Sequence, residues 1–276
     1  MAITASDVNK LRQMTGAGMM DCKNALVESN GDFDTAIDIL RKKGQKVAAK
    51  RSDRDANEGI VFAKNNSDNT FGAIIMINCE SDFVGKTDDF VNFAKDIIGI
   101  AINKEPKSIE ELFALELNNR VISEAVVDLT GKTGERIIIS HYECINAPFV
   151  SSYNHNGNRI ATLVGFNKNV NNLDQVGREI AMQVAAMTPI AVDQNSVSQS
   201  VIDHELELAK EITRQEGKPE EMVEKIAQGK LNKFLKENTL LNQEFIRDNK
   251  KTVAQYLKET DAQLTCIEFK RLQLGA

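Results

Sequence analysis

One ordered pattern occurs twice in this chain, and it limits the fold more than any other feature. Residues 60–64 (IVFAK) read as a strand, a polar loop runs from Asn65 to Thr70, and residues 71–79 (FGAIIMINC) read as a second strand. A loop and an apolar-periodic helix from Asp88 to about Ile102 follow. About 85 residues later the order returns. Residues 149–153 (FVSSY) lead through Asn154-His155-Asn156-Gly157 to a strand at 158–166, a loop and a helix from Leu173 to Met187. Asn-Gly between alternating strands is a strong hairpin signal. The doubled pattern predicts two related α+β subdomains with antiparallel sheets, at 59–146 and 147–276.

What lies outside the repeat is mostly helical. Residues 1–45 read as a small three-helix module. Thr4 and Asp7 fit a capping box, and Val8, Leu11 and Met14 follow at helical spacing. Thr15-Gly16-Ala17-Gly18 breaks the first helix, and Met19, Met20, Ala25 and Leu26 open a second that ends at Asn30-Gly31. Asp32 caps a third, with Phe33, Ala36, Ile37 and Leu40 on one face and Gly44 as its stop. Three short helices bury little surface, so the module is expected to dock on something. Residues 46–58 are charged and poor in large apolar side chains, which predicts a linker with some helix at its start. Residues 107–129 read as helical and 134–145 as containing a strand. Residues 197–247 differ in kind: Ile202, Leu206 and Ala209 stripe one helix, Gly217-Lys218-Pro219 turns the chain, and Met222, Val223, Ile226, Ala227, Leu231 and Phe234 stripe another. That is a helical hairpin, inserted in the second subdomain and expected to project as an antiparallel coiled coil. A helix at about 251–259 and a strand at 264–272 complete the pattern.

Composition narrows the function. The net charge of −6 argues against a general binder of phosphate backbones, and 5% aromatics without Trp leave few platforms for stacking bases. Direct nucleic-acid binding is therefore not expected. The N-terminus has neither a basic stretch nor an apolar run, and the apolar cluster Ile97 to Ile102 is too short to cross a bilayer. Cys22, Cys79, Cys144 and Cys266 show no zinc or redox spacing, as reduced thiols of a cytoplasmic protein would.

Chemistry of its own leaves few traces. Gly131-Lys132-Thr133 resembles the end of a phosphate-binding loop, but the required upstream glycine is Val126, so a polar turn is expected there. Gly16 and Gly18 start a dinucleotide fingerprint that fails at Asp21. Glu80, Asp82, Asp88 and Asp89 match no calcium loop and have no His nearby. His141, His155 and His204 sit in three separate elements. No metal, cofactor or nucleophile motif emerges, which favours a protein whose partner does the chemistry.

Two segments carry a resemblance. LRQMTGAGMMDCKNAL at 11–26 and CESDFVGK at 79–86, supported by SSYNHNGNRI at 151–160, make the chain similar to bacterial elongation factor Ts along nearly its whole length. The second segment departs from the usual pattern at Ser81, where Thr is common, and at Gly85, where Ala is. The resemblance implies a ubiquitin-associated-like fold for the N-terminal module. It also implies a partner, the GTPase elongation factor Tu, from which such proteins strip GDP. Carried over by motif, Asp82 and Phe83 are the intruding pair, Phe83 parting two helices of the GTPase and Asp82 disturbing the network around its magnesium ion. Arg12, Met19 and Met20 fall in the N-terminal contact, and His155 on the hairpin turn is a further contact. Some members continue past the last strand into a module that touches the GTPase. This sequence ends at Ala276, which implies a reduced contact there.

The residues alone leave other readings open. Phe83 can fold back over its own sheet, as large apolar side chains usually do, or stand out as an interface anchor. One of Met19 and Met20 can face the module core while the other is exposed. The helical hairpin offers a surface for a homodimer. A ubiquitin-associated-like adaptor that holds a partner without exchanging its nucleotide is the alternative function. An enzyme built from dispersed residues would need a buried pocket with His141 or His155 beside a carboxylate.

Overall fold

The computed structural model describes residues 3–275; Ala276, where the sequence ends, lies outside them. It is an α+β structure. Helix α1 (Ala5–Thr15) begins on the expected capping box, with Thr4 Oγ1 accepting from the Asp7 N–H and the Asp7 carboxylate accepting from the Thr4 N–H. It ends on Gly16, whose φ of +67° lets its N–H reach back to the Arg12 carbonyl. Helices α2 (Met19–Glu28) and α3 (Phe33–Arg51) follow, the latter capped by Asp32. Val8, Leu11, Cys22, Ala25, Leu26 and Ala36 form their small shared core.

The first half of the core opens with β1 (Glu58–Asn65) and β2 (Phe71–Cys79), an antiparallel hairpin with Ile60 opposite Ile77. Then come the single turn α4 (Asp82–Gly85), α5 (Asp88–Lys104) and α6 (Ile109–Ala114). A tight hairpin of β3 (Glu116–Leu117) and β4 (Arg120–Val121) interrupts the stretch that reads as continuous helix. Asn118 and Asn119, both at positive φ, make its turn. Helix α7 (Ile122–Thr133) leads to β5 (Ile138–Asn146), which pairs with β2 to give the order β1-β2-β5.

The second half repeats this topology. β6 (Phe149–Asn154) and β7 (Ile160–Phe166) form the hairpin and α8 (Leu173–Met187) the helix. The helical hairpin of α9 (Gln199–Gln215) and α10 (Glu220–Asn238) is inserted next, turning at Gly217. A small ribbon, β8 (Glu244–Phe245) with β9 (Asp248–Thr252), and α11 (Val253–Thr260) precede β10 (Cys266–Gln273), which pairs with β7. The sheet order is β10-β7-β6. Each half is thus a hairpin, a covering helix and a third strand antiparallel to the second.

The strand alternation shows how the halves assemble. On β2, Phe71, Ala73, Ile75 and Ile77 pack under Phe90, Ile97, Leu112 and Ile122 of the helices. Ile74 and Met76 face the other way, joining Val61, Ala63, Ile145, Val150, Ala161 and Leu163 between the two sheets. On β7, Val164 and Phe166 lie beneath Val176, Ile180 and Val184 of α8. The layers therefore run helix, sheet, sheet, helix. A Cβ on Gly72 would meet Val150 Cγ1 at 2.7 Å, and one on Gly165 would meet Ile145 Cγ2 at 2.8 Å. Glycine there lets the sheets approach closely.

Two local readings need correction. The third helix does not stop at Gly44; it continues to Arg51, and Gly44 lacks the left-handed φ of a helix stop. Gly131-Lys132-Thr133 is the last turn of α7, not a loop. One cause explains both. A Cβ on Gly131 would sit 2.6 Å from Gly44 Cα, so these glycines are where α3 and α7 touch backbone to backbone.

Candidate partner-binding site

The segment after β2 is held firmly at its base. Cys79 closes the strand, fully buried, and its thiol donates to the Ser81 carbonyl at 3.1 Å. Burial pushes that thiol up to about 12, so it stays neutral. The Glu80 carboxylate accepts from Arg51 at 2.9 Å and from the Arg136 backbone N–H at 2.7 Å. Ser81 donates twice to Glu135, from its N–H at 2.9 Å and its hydroxyl at 2.6 Å, while its oxygen caps α4 by accepting from the Val84 N–H. Thr87 closes the turn by donating to the Val84 carbonyl and starts α5 by accepting from the Phe90 N–H.

A single helical turn presents neighbours in different directions, and here the split is clear. Val84 packs inward against the sheet-and-helix core. Phe83 does not fold back: it is 85% exposed, more than any other large apolar side chain among the described residues. Beside it Asp82 pairs with Lys86 at 2.6 Å. That hydrogen bond, with the ammonium charge, holds the Asp82 carboxyl below its ordinary range.

His155 lies on the β6–β7 turn, exposed, with Nδ1 2.9 Å from the Tyr153 hydroxyl. The hairpin is where Asn156-Gly157 predicts it, but the His155 N–H closes it on the Ile160 carbonyl, so the loop is wider than a two-residue turn, with positive φ at Gly157 and Asn158. The Asn158 carbonyl accepts from the Val61 N–H, and the Asn154 amide bonds both ways to Ala63, which fixes the turn to β1. A groove of about 600 Å³ separates this turn from α4. Asp82, Gly85 and Lys86 line one side, Gly157, Asn158 and Arg159 the other, with Gly59 and Ile60 between.

Arg12 is exposed on the last turn of α1. Met19 and Met20 open α2, and both are exposed, at 45% and 62%, so neither serves the module core. The turn before them lies against Lys132, whose ammonium pairs with Asp89 on the first turn of α5 at 2.7 Å. The start of α5 thus has α4 just before it in the chain and the module's first turn beside it.

The braces Glu80, Ser81, Arg51 and Glu135 carry no local signal in the sequence, because Glu135 joins Ser81 across 54 positions. Three of the four acids grouped near this turn in the sequence are in ion pairs: Glu80 with Arg51, Asp82 with Lys86 and Asp89 with Lys132. The pocket beside His141 is lined by Asn57, Met76, Asn78, Ser140 and Arg271 among others, with no carboxylate among its lining residues. The Ser140 hydroxyl there donates to Asn78.

The exposed Phe83 on its braced turn, the Asp82–Lys86 pair at its foot and the exposed Met19-Met20 at the start of α2 make up the candidate site. The model of the family described as "Elongation factor TS" matches residues 80–276. The chain is 51% identical over 273 residues to elongation factor Ts of Christiangramia forsetii, covering 99% of each chain. It is 51% identical over 278 residues to that of Amoebophilus asiaticus and 48% identical over 277 residues to that of Porphyromonas gingivalis, covering the whole of each. The chain belongs to the elongation factor Ts family of translation elongation factors. Among the described residues no helix is long and apolar enough to cross a membrane.

Proposed function

We propose that this chain is the guanine-nucleotide exchange factor of the cytoplasmic GTPase elongation factor Tu, and that it releases GDP by inserting the Asp82-Phe83 turn. The observation that supports this most is Phe83: an almost fully exposed phenyl ring on a turn whose base is tied down by Glu80, Ser81 and Thr87. Burying that ring between two helices of the GTPase is worth about 1.5–3 kcal/mol. That energy is available only in a partner conformation with the helices parted. Asp82, ionised beside Lys86, brings negative charge toward the site where the partner's magnesium neutralises the GDP phosphates. Arg12, Met19 and Met20 add a second contact, and Met suits a surface that must adapt. His155 adds a third across the groove.

Exchange then follows from linkage. A factor that binds the empty GTPase more tightly than the GDP-bound form weakens GDP by the same coupling free energy. No acid, base or nucleophile of this chain is required. The test is release of fluorescent GDP from purified elongation factor Tu at fixed magnesium, with and without the chain. Acceleration that saturates with chain concentration, and that shrinks as magnesium rises, is expected. Complex formation with unchanged GDP release would support the adaptor reading instead.

A further inference from the structure

The contact between the N-terminal module and the core is too specific to be a loose packing of two tethered bodies. Glycine inside a helix weakens it relative to alanine, yet α3 and α7 each place one where they meet. A Cβ on Gly131 would lie 2.6 Å from Gly44 Cα, and one on Gly44 would touch Gly131 Cα at 3.5 Å. Side chains brace the crossing at both ends. Lys132 arches over Gly16, where an added Cβ would meet its Cε at 2.5 Å, while its ammonium reaches Asp89. Arg51, the last residue of α3, grips Glu80, and Glu80 also accepts from the Arg136 N–H. Glu80 lies two residues before Asp82 and immediately before the cap of the Phe83 turn.

We infer that the Gly44–Gly131 crossing locks the N-terminal module to the core as one rigid platform, fixing the spacing between Met19-Met20 and Phe83 at which the partner GTPase is gripped. This rests on the exchange reading above. Gly44 and Gly131 are positioning residues and touch no partner. Two contact points held in place bind together without the cost of ordering one against the other. If α3 were undocked, the module would hang on residues 52–57, and the second contact would depend on the effective concentration that this tether allows. The lock therefore acts on how tightly the factor binds, not on what it does once bound.

The test uses the full chain and its Gly131→Val variant, with Gly99→Ala as control, since a Cβ on Gly99 meets nothing within 4 Å. Amide hydrogen exchange reads residues 45–51 of α3, a stretch beyond the module's own core whose helix packs on α7. Gly131→Val should lose protection there by at least tenfold while α1 and α2 stay protected, which shows that the module still folds. In GDP release it should raise the half-saturating concentration about tenfold and leave the saturating rate unchanged; Gly99→Ala should match the parent. If Gly131→Val does not fold, the milder Gly131→Ala, whose added Cβ already meets Gly44 Cα at 2.6 Å, leaves Arg51 and Glu80 in place and should show the same split in smaller measure. Unchanged protection, or lost protection with unchanged half-saturation, overturns the inference. If the parent chain fails to release GDP at all, the exchange reading falls, and the hydrogen-exchange result still decides the lock.

Discussion

Phe83 and the residues that hold it set what a single substitution can do. The ring contributes little to the fold because it is exposed, but its turn depends on Glu135, which accepts both hydrogen bonds that Ser81 donates. Glu135→Ala should cost about 1.5–3 kcal/mol, because hydrogen bonds to a charged acceptor are lost at a half-buried site. The denaturant midpoint checks this, and factor-stimulated GDP release should slow although Phe83 remains. Ser81→Thr, the family's usual residue, keeps the capping oxygen and should leave the midpoint unchanged. Asp82 gives a pH prediction. Its folded-state pKa is depressed by Lys86, so its ionised form is favoured above the ordinary carboxylate value, and that contribution is lost only as pH falls through the lowered pKa. Stimulated release should therefore show no Asp82 titration between about pH 6 and 8. Carbon NMR of the Asp82 carboxyl should place its midpoint below the usual range, and Lys86→Met should move it up. A midpoint that ignores Lys86 would remove the ion pair from the account.

At the scale of elements, local rules and tertiary contacts contribute differently. The helical hairpin returns to its start: the Ile190 N–H donates to the Asn238 carbonyl, the Leu240 N–H to the Ala191 carbonyl, and Ala191, Val197, Ile202, Leu206, Leu231 and Leu235 pack at its base. Excising residues 207–229 and joining the helices through a short glycine turn should leave one cooperative thermal transition within a few degrees of the parent. Loss of cooperativity would show that the distal hairpin supports the core. Thr4→Ala should cost about 1 kcal/mol, the usual worth of an N-cap, read from the unfolding of the module. The cap, both strand hairpins and the helical hairpin are legible in the sequence because each is made by neighbours. What stays hidden is non-local. Gly44 and Gly131 read as punctuation because glycine usually ends helices, whereas here they face each other across a helix crossing, where an added Cβ on Gly131 would run into the Gly44 backbone. The pairing of β5 with β2 and of β10 with β7 joins residues far apart, so the repeat is visible as hairpin and helix but not as a three-stranded sheet. The same limit hid Glu135 behind Ser81 and made one of Met19 and Met20 look like core.

At the scale of the molecule, two copies of one sheet-and-helix unit pack face to face, and the features proposed for partner contact lie on what surrounds that rigid centre. The α4 turn follows directly from β2, whose every residue is buried. The His155 turn is tied to β1, and the N-terminal module to α7. A stiff frame is what prying apart another protein's helices demands, since a yielding wedge would deform before its target did. The proposed mechanism turns on one side chain, Phe83. The most direct measurement is stopped-flow release of fluorescent GDP from elongation factor Tu driven by saturating parent chain or its Phe83→Ala variant. Release by Phe83→Ala should be slowed by about ten- to a hundredfold, matching the burial energy of the ring, with the variant's melting temperature unchanged. Release by Phe83→Ala at the parent's rate would contradict it.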